Sequence, residues 1–180
     1  MKFAYADPPY LGCGKLYAKH HPDALIWDDP ETHRQLIQRL CDEYPDGWAL
    51  SLHAPSLRTL LPMAPDDARV GIYCKTFAQI RKVGCQWFWE PVIWRGGRKN
   101  TGSKHRRDWV MAFPRNAASD GLIGGKPRDF CQWLFADLLG AEKNDELDDL
   151  FPGTGAVIAA WREYTAQQVD CSPLFPMEAA

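Results

Sequence analysis

Apolar residues come in short blocks separated by polar, periodic segments, a rhythm that predicts alternating strands and helices. Lys2 to Ala6 reads as a strand stopped by Asp7-Pro8-Pro9-Tyr10, since two successive prolines remove two backbone donors and fix φ. A loop from Leu11 to about Asp29 follows. Asp29-Pro30-Glu31-Thr32 sets a capping residue before a proline at the first helical position. Leu36, Ile37, Leu40 and Cys41 then recur at helical spacing up to Tyr44-Pro45, which predicts a helix. Trp48 to Leu52 predicts a buried strand, Ser56 to Leu61 a short helix, and Val70 to Cys74 a further strand. The run Cys85 to Trp94 is aromatic and β-branched, with Pro91 dividing it. It predicts a long edge strand or the first arm of a hairpin whose returning arm is Trp109 to Phe113. After a glycine-rich stretch near Gly121 to Gly125, Lys126-Pro127 opens a helix through Leu139 that Gly140 stops. Glu146 to Phe151 predicts a strand feeding Pro152-Gly153-Thr154-Gly155. Ala156 to Trp161 opens the next helix and Val169-Asp170 forms a last short strand.

Composition narrows this picture. The chain of 180 residues has room for one domain over 1–180, and 46% hydrophobic with 12% aromatic content supplies a core and excludes disorder over most of the length. No apolar run has the length of a membrane span, and Met1-Lys2-Phe3 shows no signal-peptide pattern. The expectation is a soluble, cytoplasmic protein without a membrane partner. Six cysteines, at 13, 41, 74, 85, 131 and 171, lack zinc spacing and read as free thiols. His20-His21 and His53 lack a third ligand, so no metal is expected. Net charge is only −2, but Arg95, Arg98, Lys99, Lys104, Arg106 and Arg107 lie together without an acid between them. Removing those six from the net leaves −8 on the remainder. That polarity predicts an exposed basic hairpin loop at about 95–107 that contacts nucleic-acid phosphates. Trp87, Trp89 and Trp94 read as packing residues of the edge strand, with a base-stacking platform as the less favoured use. Asp145, Glu146, Asp148 and Asp149 read as a solvated strand entrance, of which only Asp149 borders a loop of chemical interest.

That chemistry starts at Asp7-Pro8-Pro9-Tyr10. The tetrapeptide at a strand end resembles the motif of the S-adenosylmethionine-dependent amino-methyltransferases, which methylate the exocyclic amine of adenine or cytosine. The residue types suit the task. An exocyclic amine is a poor nucleophile because its lone pair is delocalised into the ring, so a catalyst must accept hydrogen bonds from its N–H groups. Asp7 and the Pro8 carbonyl supply acceptors on a turn stiffened by Pro8 and Pro9, and Tyr10 offers a π-face for a base removed from its helix.

A second segment, Asp149-Leu150-Phe151-Pro152-Gly153-Thr154-Gly155, is a weak signal alone and a strong one beside the first. The resemblance implies that Ala6, Asp149, Phe151, Gly153, Thr154 and Gly155 approach the cofactor. It further implies that Lys126 lines the methionine end and that Asp170 binds the ribose hydroxyls. The catalytic motif precedes the cofactor motif, the permuted order of β-type DNA methyltransferases and of the messenger-RNA adenosine methyltransferase family. The expected fold is therefore a Rossmann-like α/β methyltransferase fold with a mostly parallel sheet, truncated and circularly permuted. The RNA family usually has Trp at the last motif position, where this chain has Tyr10, so the resemblance favours adenine in DNA as acceptor.

Cytosine-N4 methylation, RNA adenine methylation, a non-catalytic nucleic-acid-binding subunit, and action on a nucleotide, small molecule or protein amide stay open. A homodimer is compatible with the reading.

Overall fold

The computed structural model describes residues 1–18, 22–75, 84–102, 105–113 and 125–167. In chain order its elements begin with strand β1 (Lys2–Ala6), the helical turn α1 (Gly14–Tyr17), a 3-10 segment at Pro22–Asp28 and helix α2 (Pro30–Glu43). Next come β2 (Gly47–Ser51), α3 (Leu57–Leu60) between 3-10 turns at Ala54–Ser56 and Leu61–Met63, and β3 (Arg69–Lys75). β4 (Trp89–Gly96), β5 (Trp109–Ala112) and α4 (Arg128–Trp133) follow, α4 continuing as a π-type helix over Leu134–Leu139. β6 (Glu146–Asp149) and α5 (Ala156–Gln167) complete the described chain. The expected strand at Val169-Asp170, the pair His20-His21 and most of the glycine-rich stretch before Lys126 lie outside the described residues.

One sheet forms in the order β5-β3-β4-β2-β1-β6. β1 runs parallel to β2 and β6, and β3 parallel to β5, while β4 is antiparallel to both its neighbours. This is the mostly parallel α/β fold expected, with one reversed strand. β2 is buried throughout, and only the first residue of β1 is exposed, as suits strands covered on both faces. α2 starts where its capping pattern places it: the Asp29 carboxylate accepts the Glu31 N–H at 2.9 Å, with Pro30 at the first helical position. Leu36, Ile37 and Leu40 of α2, with Leu60 of α3, cover Ala4, Ala6, Trp48, Leu50 and Ile93 on one face. Phe130 and Trp133 of α4 and Val157 of α5 cover Phe3, Tyr5, Tyr73 and Val92 on the other.

The opposed layers create the site. α2 follows β1 onto one face and α5 follows β6 onto the other, so the connections leaving two adjacent parallel strands diverge. A crevice opens at their carboxyl ends, the place where doubly wound sheets bind ligands.

The expected hairpin is not formed. β4 is an interior strand between β2 and β3, and β5 adds in parallel to the outside of β3. Pro91 is tolerated inside the sheet because its missing N–H falls just past the β2 ladder. The last pair there is Ser51 with Val92, and the Pro91 carbonyl, on the same side, accepts the Leu52 N–H at 3.2 Å. The aromatic residues of this run divide their roles. Trp94 packs on the core beneath Arg69, whereas Trp87 is half exposed and meets Trp89 edge-on at 6.2 Å. Reversing β4 also carries its final residue, Gly96, to the end of the sheet where β2 begins, opposite Gly47. Among the described residues no helix is long and apolar enough to cross a membrane.

α4 is seated through Gly71 of β3. A Cβ there would stand 2.9 Å from the Trp133 ring and 3.2 Å from the Asp108 carbonyl, and the ring is itself tied by its Nε1–H to the Arg107 carbonyl at 2.9 Å. Gly71→Ala is expected to lower the free energy of unfolding by about 1–3 kcal/mol in urea titrations. A variant as stable as the parent shows that Trp133 can shift without cost.

Candidate functional site

The end of β1 delivers Asp7 to the mouth of the crevice. Pro8 is buried, and the Tyr10 carbonyl accepts the Cys13 N–H at 2.7 Å, closing the turn that returns Tyr10 toward Asp7. The Lys126 ammonium stands 2.9 Å from Asp7 Oδ1 and donates to the Tyr10 hydroxyl oxygen at 3.0 Å. The Tyr10 hydroxyl in turn has two carboxylates in donating range, Asp7 Oδ1 at 3.2 Å and Glu90 Oε2 at 3.1 Å. Glu90 also lies 3.6 Å from Lys126 and pairs through Oε1 with Lys75. Both contacts to Asp7 fall on Oδ1, so among the described residues Oδ2 has no protein partner on a side chain that is 21% exposed.

Each charge responds to this setting. Burial pushes the Asp7 carboxyl above the usual carboxylate range, with Lys126 pulling it back only in part. Burial acts the same way on Glu90, but the ammonium groups of Lys126 and Lys75 and the hydrogen bonds from Lys75 and Tyr10 outweigh it and hold Glu90 low. For Lys126, burial favours the neutral amine, yet Asp7, Tyr10, Tyr5 and Glu90 together hold its titration well above the ordinary lysine value. Tyr10 is pushed well up, by burial first and then by the charges of Asp7 and Glu90. The cluster therefore favours the charged forms of Lys126 and Glu90 and the protonated form of Tyr10, while burial works against the charge on Asp7.

β6 supplies the second half of the site. Tyr5 pairs with Asp149, so the loop after β6 runs alongside the Asp7 turn. Gly153 and Gly155 adopt φ of +46° and +74°, a left-handed backbone that side-chain-bearing residues rarely hold. The Gly155 N–H closes the turn on the Pro152 carbonyl at 2.6 Å. Nothing crowds a Cβ at Gly155, so conformation, with space for a close approach, accounts for the glycine. Thr154 is exposed, its hydroxyl near Gly125. Phe151 stacks edge-on against Trp27 at 5.1 Å, toward the α2 layer. Ala6 is fully buried in the core under the α2 layer, so the structure exposes neither its side chain nor its backbone to a ligand. Asp149 Oδ1 accepts the Phe151 N–H at 3.3 Å, and its Oδ2 is buried with no hydrogen-bond partner among the described residues. Burial, with a smaller push from Asp7 against the Phe151 hydrogen bond, raises the Asp149 carboxyl to about 6.

Three expectations change in the structure. Lys126, assigned by motif order to the cofactor side, has its ion pairs and hydrogen bond within the catalytic motif and Glu90. It touches the other half only through a cleft of about 30 Å³ shared with Ala156 and Ala159 at the start of α5. Tyr10, expected to offer a π-face, has His53 stacked on it at 5.6 Å and 12°, with His53 Nδ1 hydrogen-bonded to the Ser56 hydroxyl at 2.6 Å.

The third concerns the basic segment, which lies at the opposite end of the sheet. Arg95 pairs with Asp67 at 2.7 Å, Arg98 with Asp145 at 2.8 Å and Arg107 with Asp137 at 3.6 Å, while Arg106 donates to the Arg98 carbonyl at 2.6 Å. Asp145 adjoins Glu146, whose N–H bonds the Met1 carbonyl, which marks this as the far end of β1 from Asp7. Lys99 is exposed, and Lys104, like Asp170, lies outside the described residues. The structure thus brings Asp7, Tyr10, Lys126 and Asp149 together and does not bring the arginines to them.

Glu90, Lys75 and His53 are site residues that motif reading missed. Glu90 had a signal: it is the lone charge in the run Cys85 to Trp94. Among the described residues no group of three His, Cys, Asp or Glu gathers to hold a metal ion.

A mostly parallel sheet with helices on both faces defines an α/β protein with a doubly wound fold. Among solved structures the crystal structure of the M1.HpyAVI–SAM complex matches it at a TM-score of 0.54, covering 91% of this chain and 77% of that one at 12% identity. At that identity the likeness speaks for the fold. No family model matches the chain, and no curated protein matches it.

The raised Asp149 titration has a stability consequence. A carboxyl that holds its proton more tightly folded than unfolded makes stability fall as pH rises from about 4 through 6. Asp149→Asn removes this loss, so the variant is expected to match the parent at pH 4 and to exceed it above pH 7 by on the order of 1 kcal/mol, solvent damping the full effect. Urea denaturation across that range checks it, and parallel stability curves exclude it.

Proposed function

We propose that the chain is an S-adenosylmethionine-dependent methyltransferase whose acceptor is the exocyclic amine of adenine in DNA. The observation that carries this reading is the Asp7 carboxylate at the crevice mouth, one strand from the glycine turn after β6, with Oδ1 held by Lys126 and Tyr10 and Oδ2 without a partner among the described residues. When bound, the cofactor supplies a methyl group on a positively charged sulfur.

The chain's residues fit that group. The partnerless Asp149 oxygen suits an ammonium donor, and the glycine turn lets backbone approach without a Cβ. Asp170 is the proposed ribose acceptor. Asp7 Oδ2 and the Pro8 carbonyl accept the two N–H groups of the target amine and return its lone pair to nitrogen. Pro8 and Pro9 hold both acceptors in place before the base arrives, so little entropy is lost on binding. The face of Tyr10 away from His53 stacks on the base. As methyl transfer proceeds the nitrogen becomes acidic, and Asp7, whose hold on a proton burial strengthens, is positioned to take the proton. Tyr10 at the last motif position supports DNA over RNA. The intact Asp7 and glycine turn support an enzyme over a silent binding subunit.

The test is transfer of tritiated methyl from labelled cofactor to duplex DNA, single-stranded DNA, RNA and free nucleotides. Duplex or single-stranded DNA labelled at adenine is the expected result, and label confined to RNA, cytosine or nucleotides replaces the acceptor. Asp7→Ala is expected to reduce transfer by at least roughly 10- to 150-fold, the worth of one charge-assisted hydrogen bond, with cofactor affinity by calorimetry unchanged. Normal turnover in that variant removes Asp7 from the mechanism.

A further inference from the structure

The Tyr10 hydroxyl has one proton and two carboxylates within reach, Asp7 at 3.2 Å and Glu90 at 3.1 Å, so it donates fully to only one of them at a time. Lys126 is divided in the same way, at 2.9 Å from Asp7 and 3.6 Å from Glu90. Among the described residues, both donors to Asp7 are thus shared with Glu90, and Lys75 anchors Glu90 from the other side. The side chain of Glu90 is 13% exposed and enters from β4, the reversed strand, whose first residues pair with Tyr73 and Cys74 near the carboxyl end of β3.

Resting on the methyl-transfer reading above, we propose that Glu90 is a positioning residue: it draws the Tyr10 hydroxyl and part of the Lys126 ammonium away from Asp7, so that Asp7 keeps its full acceptor strength for the amine. Without Glu90, both donors close on Asp7 Oδ1, and the carboxylate meets the amine with its charge already neutralised. The other charges around Asp7 stay in place in such a variant. Tyr5 lies on β1, Asp149 on β6 and Tyr17 on α1, and each feels Asp7. His53, after β2, reaches it only through the Tyr10 ring.

The expected signs are opposite for two substitutions. Glu90→Gln removes a negative charge beside Asp7 and leaves Lys126 to it alone, so the titration midpoint of Asp7 falls, by about one pH unit. Lys75→Met leaves the charge of Glu90 unneutralised, so the Asp7 midpoint rises. Carbon-13 NMR of aspartate-labelled protein reads both without cofactor or acceptor, the Asp7 signal being assigned by its loss in Asp7→Asn. In transfer assays Glu90→Gln is expected to lower kcat by about 10-fold or more with cofactor affinity unchanged, and to move the acid limb of kcat to lower pH. In a Tyr10→Phe background the same substitution is expected to cost less, since one of the two shared donors is already gone.

An Asp7 midpoint that stays put in both variants overturns the proposal, whatever the activity, and so does a kcat loss without movement of the acid limb. If Glu90→Gln fails to fold, the rise in Lys75→Met still decides it. If the parent protein transfers methyl to no acceptor, the functional reading fails while the NMR titration still tests the coupling between Glu90 and Asp7.

Discussion

A lysine ammonium with 7% of its surface exposed has to be met by anions, and the arrangement of the site follows from how Lys126 is met. Its partners come from parts of the chain far apart in sequence: Asp7 and Tyr10 from the turn after β1, and Glu90 from β4. Lys75 at the end of β3 closes the set through Glu90. Two lysines and two carboxyl groups make up the cluster, each lysine facing an acid. Removing one partner would strand another in a low-dielectric setting, so the interaction is better understood as fixing one arrangement than as adding stability. It also couples the turn after β1 to the segment that opens α4.

The reversed strand explains why the two charged regions of the chain lie apart. β4 starts beside the carboxyl ends of the parallel strands and finishes at their amino ends. Its first half therefore supplies Glu90 to the crevice, while the basic segment that follows emerges at the opposite end of the sheet. There Arg95, Arg98 and Arg107 each meet an aspartate, and Arg106 lies along the Gly140 backbone. Local charge density is visible in a sequence, but the field it produces depends on where the acids fold. Here much of it is used within the chain.

At the other half of the crevice the chain bears a cost. The Asp149 carboxylate oxygen without a partner, and a loop with two left-handed glycines, do nothing evident for the fold by themselves. Buried polar atoms without a partner are rare in native proteins, and Asp149 Oδ2 is one of four such side-chain atoms among the described residues. This one lies beside the Asp7 turn, across a single strand pair.

Much of this was determined by the sequence alone. The strand before Asp7-Pro8-Pro9-Tyr10, the capped helix from Pro30 and the glycine turn after Asp149 rest on local rules, such as proline's missing donor, the N-cap and the cost of positive φ, and each stands where those rules put it. What only the tertiary structure decided is what depends on strand order. A run containing Pro91 reads locally as an edge, because nothing in the run records that its neighbour ends at Ser51 and leaves the missing donor unneeded. The charge of Glu90 was visible, but its partners lie 80 positions earlier at Tyr10, 15 earlier at Lys75, and beyond it at Lys126, and no spacing rule joins them. Whether a cation serves a ligand or the fold depends on the energy of the acid that reaches it, and that acid is chosen by the topology of the sheet, not by its neighbours along the chain.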